Sequence, residues 1–79
     1  MKAQVVVKLK SAVLDPQGLA IQKSLHAMGY DGVSSCRVGK VFNIELNVAD
    51  EKTAREMLRE VSEKLLANTV IEDFEIKIL

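Results

Sequence analysis

Three segments of the chain alternate apolar and polar side chains with the period of two that is typical of β-strands. They cover residues 4–9, residues 41–48 and the stretch from Val70 to the end. A further short segment, residues 33–38, is rich in small and β-branched side chains and predicts another strand. The apolar faces of the alternating segments predict a core containing Val5, Val7, Leu9, Phe42, Ile44, Leu46, Val48, Phe74, Ile76 and Ile78.

Two segments between these strands repeat their apolar side chains with the period of an α-helix. The first begins after Asp15 and ends near Gly29, and the second begins after Asp50 and runs to about Ala67. Each presents one apolar stripe, which predicts that both helices pack on a common core. The stripes consist of Ile21, Leu25 and Met28 in the first helix and of Ala54, Leu58, Val61 and Leu65 in the second.

The start of the first helix carries several helix-initiating signals in a row. Asp15 is placed to accept hydrogen bonds from the first turn as an N-cap, and Pro16 suits the first helical position. Leu14 and Leu19 stand at the two positions of a hydrophobic staple. Gly18 lies inside the first turn and is a poor helix former. Gly18→Ala is therefore expected to gain stability, and close approach of another backbone is the alternative reason for a glycine at this position.

Single residues mark the remaining boundaries of the elements. Gly29 is suited to end the first helix in the left-handed conformation, and Asn68 is the next best residue for such an end after the second helix. Asp50 is expected to cap the second helix. Gly39 and Lys40 fit a two-residue hairpin turn between residues 33–38 and 41–48.

The order of elements is therefore β-α-β-β-α-β, in a single domain spanning residues 1–79. This is the α+β, ferredoxin-like split βαβ arrangement. It predicts a four-stranded antiparallel sheet with both helices on one face and a mostly polar second face.

Composition narrows the class of protein. A chain of 79 residues has a small core, so oligomerisation or docking on a larger partner is expected. Eleven basic and eleven acidic residues give zero net charge, which argues against a nucleic-acid partner. There is no apolar run long enough to span a bilayer and no signal-peptide pattern. The single cysteine is consistent with the cytoplasm.

The chain contains no convincing catalytic, metal-binding or phosphate-binding motif. His26 is the only histidine, falls outside the apolar stripe and is expected to face water without an oriented partner. Cys36 is read as a small hydrophobic residue of a strand. Gly39 and Lys40 lack the other residues of a phosphate-binding loop. We expect no catalytic residue, no metal site and no bound cofactor in this chain.

The ferredoxin-like arrangement supports several functions, and each of them needs particular residues at its own site. The polar sheet face has no aromatic side chain for RNA recognition. The loop of residues 11–15 lacks the arginine of an acylphosphatase. An ACT-like domain that senses a small molecule at this loop remains the alternative function.

Four segments together resemble the PurS small subunit of phosphoribosylformylglycinamidine (FGAM) synthase over essentially the whole chain. They are VLDPQG at residues 13–18, residues 25–30, RVGK at residues 37–40, and KLLANTVIE at residues 64–72. The resemblance implies a role in de novo purine synthesis, in a complex that uses ATP, Mg²⁺ and glutamine. It implies that a large synthetase subunit and a separate glutaminase carry the chemistry. It further implies that the small subunit forms a homodimer or higher oligomer, bridges the other two and supports ammonia transfer.

The resemblance also suggests which residues contact other subunits. Several of them also have a simpler structural explanation. Asp15 and Asn68 would serve only as helix caps, Gly39 only as a turn residue, and Arg37 and Lys40 only as solvated charges. The full set of candidates is Asp15, Gln17, Gly18, Arg37, Gly39, Lys40 and Asn68.

Overall fold

The computed structural model covers Met1–Leu79 and contains a three-stranded antiparallel sheet, in which the first strand of the chain lies between the other two. One helix follows the first strand and the other follows the second. A π-helical turn, Ser62–Leu66, continues the second helix. The elements are β1 (Lys2–Leu9), α1 (Pro16–Ala27), β2 (Gly39–Glu45), α2 (Glu51–Val61) and β3 (Glu72–Ile78).

The prediction of a fourth strand at residues 33–38 is wrong, and so is the hairpin turn at Gly39 and Lys40. Both residues belong to β2, where Gly39 pairs with Lys8 and Lys40 with Val7. Residues 33–38 stay outside the sheet because side chains of α1 bind their backbone. The α+β class is correct, but the observed order is β-α-β-α-β.

The core lies on one face of the sheet, beneath α2. The inward side chains of β1, namely Ala3, Val5 and Val7, are fully buried. Val5 stands between Phe42 of β2 and Ile76 of β3 in the register of the sheet. The other face is largely polar, as predicted. The core also takes in Leu58 and Ala67, with Phe42, Ile44, Leu46, Leu66, Phe74, Ile76 and Ile78 packed around it.

Helix α1 has the ends that its sequence predicts. Asp15 caps it by accepting a hydrogen bond from the Gly18 N–H, and Pro16 is its first residue. At its end Gly29 has a φ of +94°, in the left-handed region. The Gly29 and Tyr30 N–H groups donate to the carbonyls of His26 and Leu25, which completes a Schellman motif.

The apolar stripe of α1 is not buried, so the prediction that both helices cover the sheet is wrong within one chain. α1 makes at most slight contact with any strand, whereas α2 packs beside β3. Met28 remains 69% exposed and Ile21 38% exposed.

Helix α2 is capped by Asp50 as predicted, but its buried stripe departs from the expected one at the π-helical turn. Ala54 and Leu58 are buried, whereas Leu65 is 79% exposed. The Ala67 N–H donates to the Ser62 carbonyl five residues back, which shifts the later side chains around the axis. Ser62 continues the four-residue spacing of Ala54 and Leu58, and the π-helical turn then places Ala67, five residues further on, on the same buried side.

The prediction that Asn68 ends the second helix in the left-handed conformation is wrong. Gly29 is the one residue of the chain with a positive φ. Instead the side-chain oxygen of Asn68 accepts a hydrogen bond from the Val70 N–H at 3.2 Å. Its carbonyl accepts from Ile71 and Glu72. Asn68 thus builds a turn into β3.

Ser62, the first residue of the π-helical turn, carries a buried hydroxyl group whose effect on stability can be tested. Its side chain is fully buried and its hydroxyl has no hydrogen-bond partner. Because an unsatisfied buried hydroxyl is destabilising, Ser62→Ala should raise the free energy of unfolding by about 1 kcal/mol. Ser24→Ala on the exposed surface of α1 is the control, since it changes helix propensity alone and should add at most about 0.5 kcal/mol. Urea denaturation measures both, and a loss of stability in Ser62→Ala would contradict the expectation.

Candidate subunit contact site

Asp15 connects the start of α1 to the start of β2. Its Oδ1 accepts from the Gly18 N–H at 2.9 Å and its Oδ2 from the Val38 N–H at 2.7 Å. The residue is only 6% exposed. The Val38 N–H and then the Gly18 N–H hold the pKa of Asp15 below its ordinary value, with a smaller contribution from the charge of Arg37.

Residues 33–38, which we call the strap, run along α1 toward its N-terminus. His26 Nε2 lies 2.7 Å from the Val33 carbonyl and donates to it, because a carbonyl oxygen only accepts. Gln22 Nε2 donates to the Ser34 carbonyl at 2.9 Å. The strap therefore lies against a polar stripe of α1 and is held mainly by side-chain hydrogen bonds.

Gly18 is explained by the strap. A Cβ built at this position would lie 2.1 Å from the Cys36 carbonyl oxygen and 2.8 Å from Asp15 Oδ2. The close approach of another backbone is therefore real, and that backbone belongs to the same chain. The expectation that alanine would stabilise position 18 is wrong for this reason.

A surface cleft brings several of the predicted contact residues together at the start of α1. Its volume is about 240 Å³. Gln17 and Lys40 are exposed at it, and Glu72 approaches from β3. The lining residues, which we call the α1 cleft, are Val7, Leu9, Asp15, Gln17, Val38, Gly39, Lys40 and Glu72.

The remaining candidates lie around the α1 cleft. Gly18 is buried behind Asp15. Asn68 is joined to the cleft through its N–H, which donates to Glu72 Oε1 at 2.7 Å. Arg37 lies outside it: the guanidinium donates to the Lys10 carbonyl at 3.0 Å and lines a neighbouring depression with Lys8.

Gly39 has a packing reason of its own. A Cβ at this position would lie 2.8 Å from the Val7 carbonyl oxygen on the adjacent strand. Any larger residue would push β2 away from β1 at the wall of the α1 cleft.

Sequence reasoning missed Glu72 and the backbone of Val38. One signal was available for the strap: Asp15, Gly18, Gln22 and His26 follow each other at intervals of three, four and four residues, which places them on one side of a helix. Polar or small residues at helical spacing argue against a core face, and in this chain that face binds the backbone of the strap.

The largest surface depression, about 620 Å³, follows α2 and is lined only by charged side chains. Glu51 pairs with Arg55 at 3.0 Å and Glu60 pairs with Lys64, each four residues apart. Such pairs are typical of a solvated helix surface. The α1 cleft instead offers an amide, an ammonium and a carboxylate, which suit the polar rim of an interface with another protein. No group of three or more His, Cys, Asp and Glu side chains is placed to hold a metal ion.

Known proteins with similar sequences share this fold. The family model for PurS, phosphoribosylformylglycinamidine (FGAM) synthase, matches residues 2–79. The chain belongs to the PurS family. The PurS subunit from Bacillus subtilis is 47% identical over 73 residues, which are 92% of this chain and 86% of that protein. PurS proteins are subunits of FGAM synthase in purine biosynthesis, so the resemblance drawn from the sequence is confirmed.

Solved PurS structures superimpose closely on this chain. PurS from Methanocaldococcus jannaschii gives a TM-score of 0.89 at 41% identity, covering 96% of this chain and 92% of that one. A chain in the structure of PurLQS from Thermotoga maritima gives 0.91 at 31% identity, covering 99% and 95%. In this PurS chain, none of the helices is long and apolar enough to cross a membrane.

Proposed function

We propose that this chain is the non-catalytic subunit that bridges the glutaminase and the synthetase of FGAM synthase and supports the passage of ammonia between them. The observation that carries the proposal is the match along nearly its full length to a chain of the PurLQS structure from Thermotoga maritima. On this proposal the synthetase binds ATP and Mg²⁺, and this chain contributes contacts. The complex operates in the cytoplasm, with which the single unpaired Cys36 is consistent.

The α1 cleft is the proposed contact with one of the two larger subunits. Three of the four segments that carry the family resemblance meet there: Gln17 from the first, Lys40 from the third and Glu72 from the fourth. Gln17 and Lys40 are exposed, and the side chain of neither makes a hydrogen bond or an ion pair within the chain. Their polar groups are therefore available to a partner.

Reconstitution with the purified glutaminase and synthetase tests the bridging role. Without this chain, synthesis from glutamine should fall at least about tenfold, whereas synthesis from added ammonium chloride should persist, because the synthetase keeps its own chemistry. Equal rates from glutamine with and without the chain would overturn the proposal. Lys40→Glu should reproduce the loss, since it reverses a charge at the contact. Lys52→Glu, on the solvated surface of α2, is the matched control and should behave like the wild type.

We further propose that the chain forms a homodimer. The radius of gyration is 15.9 Å, against about 12 Å for a compact domain of this length. Its accessible surface is 5710 Å², roughly 1,000 Å² more than a monomer of this mass exposes. A standard interface removes about 800 Å² from each partner, so the excess is what one such contact would cover.

A further inference from the structure

Arg37 is a candidate residue that the α1 cleft leaves unexplained. Its guanidinium forms no ion pair within the chain, and its one side-chain hydrogen bond goes to the Lys10 carbonyl at 3.0 Å. A guanidinium carries several further N–H donors in a planar fork. Most of the donors of this exposed side chain are therefore available to a ligand.

The backbone on both sides of that hydrogen bond is fixed. The Lys10 carbonyl also accepts from the Val13 N–H at 2.9 Å, which closes the turn after β1. The Val38 N–H, next to Arg37, donates to Asp15 Oδ2 at 2.7 Å. The guanidinium is thus held in place before any ligand binds, so less conformational entropy is lost on binding.

The guanidinium lies in a surface depression of about 390 Å³, within the range of about 300–1,000 Å³ that small-molecule sites occupy. The depression borders the α1 cleft, because Leu9 and Val38 line both. Its lining residues, which we call the Arg37 depression, are Lys8, Leu9, Ser11, Arg37, Val38 and Asp73.

The side-chain donors of the Arg37 depression match a phosphate group. Besides the guanidinium they are the Lys8 ammonium and the Ser11 hydroxyl, and neither of these makes a hydrogen bond or an ion pair within the chain. A guanidinium fork binds phosphate oxygens in pairs, and an ammonium adds a point charge. A phosphate ester offers an oxygen to each of the three donors, whereas a carboxylate has one oxygen fewer.

Asp73 is the one acidic side chain of the Arg37 depression, and it restricts the ligand further. It stands opposite Lys8 in the register of β1 and β3, where Cβ atoms are about 4.5–5.5 Å apart. The two side chains nevertheless form no ion pair. The carboxylate repels a bare phosphate, but it accepts hydrogen bonds from a ligand that also carries hydroxyl groups.

We infer that the Arg37 depression binds a sugar phosphate. The phosphate group accepts from Arg37, Lys8 and Ser11, and a hydroxyl of the sugar donates to Asp73. One chain supplies every residue of this site. Its test therefore needs neither the glutaminase nor the synthetase, and its outcome leaves the proposed bridging role untouched.

Titration of the ¹⁵N-labelled chain with ribose 5-phosphate tests the site by NMR. The amide signals of residues 8–11, 37, 38 and 73 should shift and saturate. Inorganic phosphate should bind at least about tenfold more weakly, because it is repelled by Asp73 and brings no hydroxyl of a sugar to it. Ribose alone should leave these signals in place. Absence of saturable shifts with ribose 5-phosphate, or equal affinity for inorganic phosphate, would overturn the site.

Two substitutions on the exposed strand surface separate the roles of the charges. Lys8→Gln should raise the dissociation constant for ribose 5-phosphate at least about tenfold, the effect of one charged hydrogen bond. Lys77→Gln, which removes the same charge from exposed β3 outside the depression, is the matched control and should bind like the wild type. Equal affinities of the two variants would reduce the effect to net charge and refute the site.

Asp73→Ala tests the sugar contact. It should strengthen the binding of inorganic phosphate, because the repelling carboxylate is gone, and it should abolish the preference for ribose 5-phosphate. A preference that survives in this variant would contradict the role given to Asp73. Far-UV circular dichroism checks that all three variants fold.

Discussion

Gly18→Ala should lower the free energy of unfolding by about 2–3 kcal/mol, the upper part of the range for overpacking, because a rigid backbone atom occupies the space. A methyl group there would meet the Cys36 carbonyl oxygen at 2.1 Å, far inside van der Waals contact. The oxygen belongs to the backbone of the strap, so no side-chain rotation relieves the contact. Movement of the strap would in turn strain the hydrogen bond between the Val38 N–H and Asp15.

Gly32→Ala is the matched control for this prediction. A Cβ at position 32 meets no atom within 4 Å, and its φ does not lie in the left-handed region. Alanine there should therefore leave the stability unchanged or raise it by about 0.4–1 kcal/mol. Urea unfolding at equal protein concentration compares the two, since the proposed dimerisation would make the midpoint depend on concentration. If Gly18→Ala were as stable as the wild type, the close approach of the strap would be refuted.

For the same reason, a substitution at Gly18 is a poor probe of the contact between subunits. The sequence presents Gly18 as a residue that helix propensity does not require, which favoured a partner contact. The structure supplies an intramolecular reason. A loss of complex formation in Gly18→Ala would follow from a displaced strap, so the exposed Gln17 and Lys40 are better probes of the contact.

Features determined by neighbouring residues were predictable from the sequence. The caps at Asp15 and Asp50 and the left-handed Gly29 depend on hydrogen bonds within one helical turn. The alternation in β2 and β3 likewise follows from one covered sheet face. The predictions that were wrong concern features that depend on contacts between residues far apart in the sequence. Residues 33–38 have strand-like composition, yet composition does not reveal that Gln22 and His26 take their carbonyls.

The sequence was sufficient to select most residues of the candidate site, but it did not show that they meet in one cleft. Asp15 and Gln17 come from one segment of the sequence and Gly39 and Lys40 from another, and all four line the α1 cleft. Their meeting depends on the strap, which returns the chain to the start of α1 before β2 begins. Glu72 could not be found from its local pattern, because its place in the cleft depends on the hydrogen bond from the Asn68 N–H and on pairing of β3 with β1.

Asp15→Ala should lower the melting temperature by roughly 10 °C, about twice the effect of losing a helix cap alone. The carboxylate accepts two backbone N–H groups from different parts of the chain, and its removal leaves the Val38 N–H without a partner. Asp50→Ala is the matched control, because Asp50 caps α2 through Thr53 only. Thermal unfolding followed by circular dichroism measures both, and equal shifts would mean that the bond to Val38 contributes little.

The stability that Asp15 contributes should depend on pH, because folding lowers the pKa of its carboxyl group. The Val38 N–H, followed by the Gly18 N–H, lowers the pKa of folded Asp15 below its ordinary value of 3.8. Since the folded pKa is the lower one, this stabilisation is complete above the ordinary pKa and is lost as the pH falls through the folded pKa. Asp15→Asn keeps one acceptor oxygen but cannot titrate, so its stability should fall less steeply below about pH 4. Part of the acid sensitivity should persist in this variant, because the Thr53 N–H lowers the pKa of Asp50 and Lys64 lowers that of Glu60. Urea midpoints between pH 3 and pH 6 measure the difference, and parallel curves for Asp15→Asn and the wild type would refute the role given to the carboxylate charge.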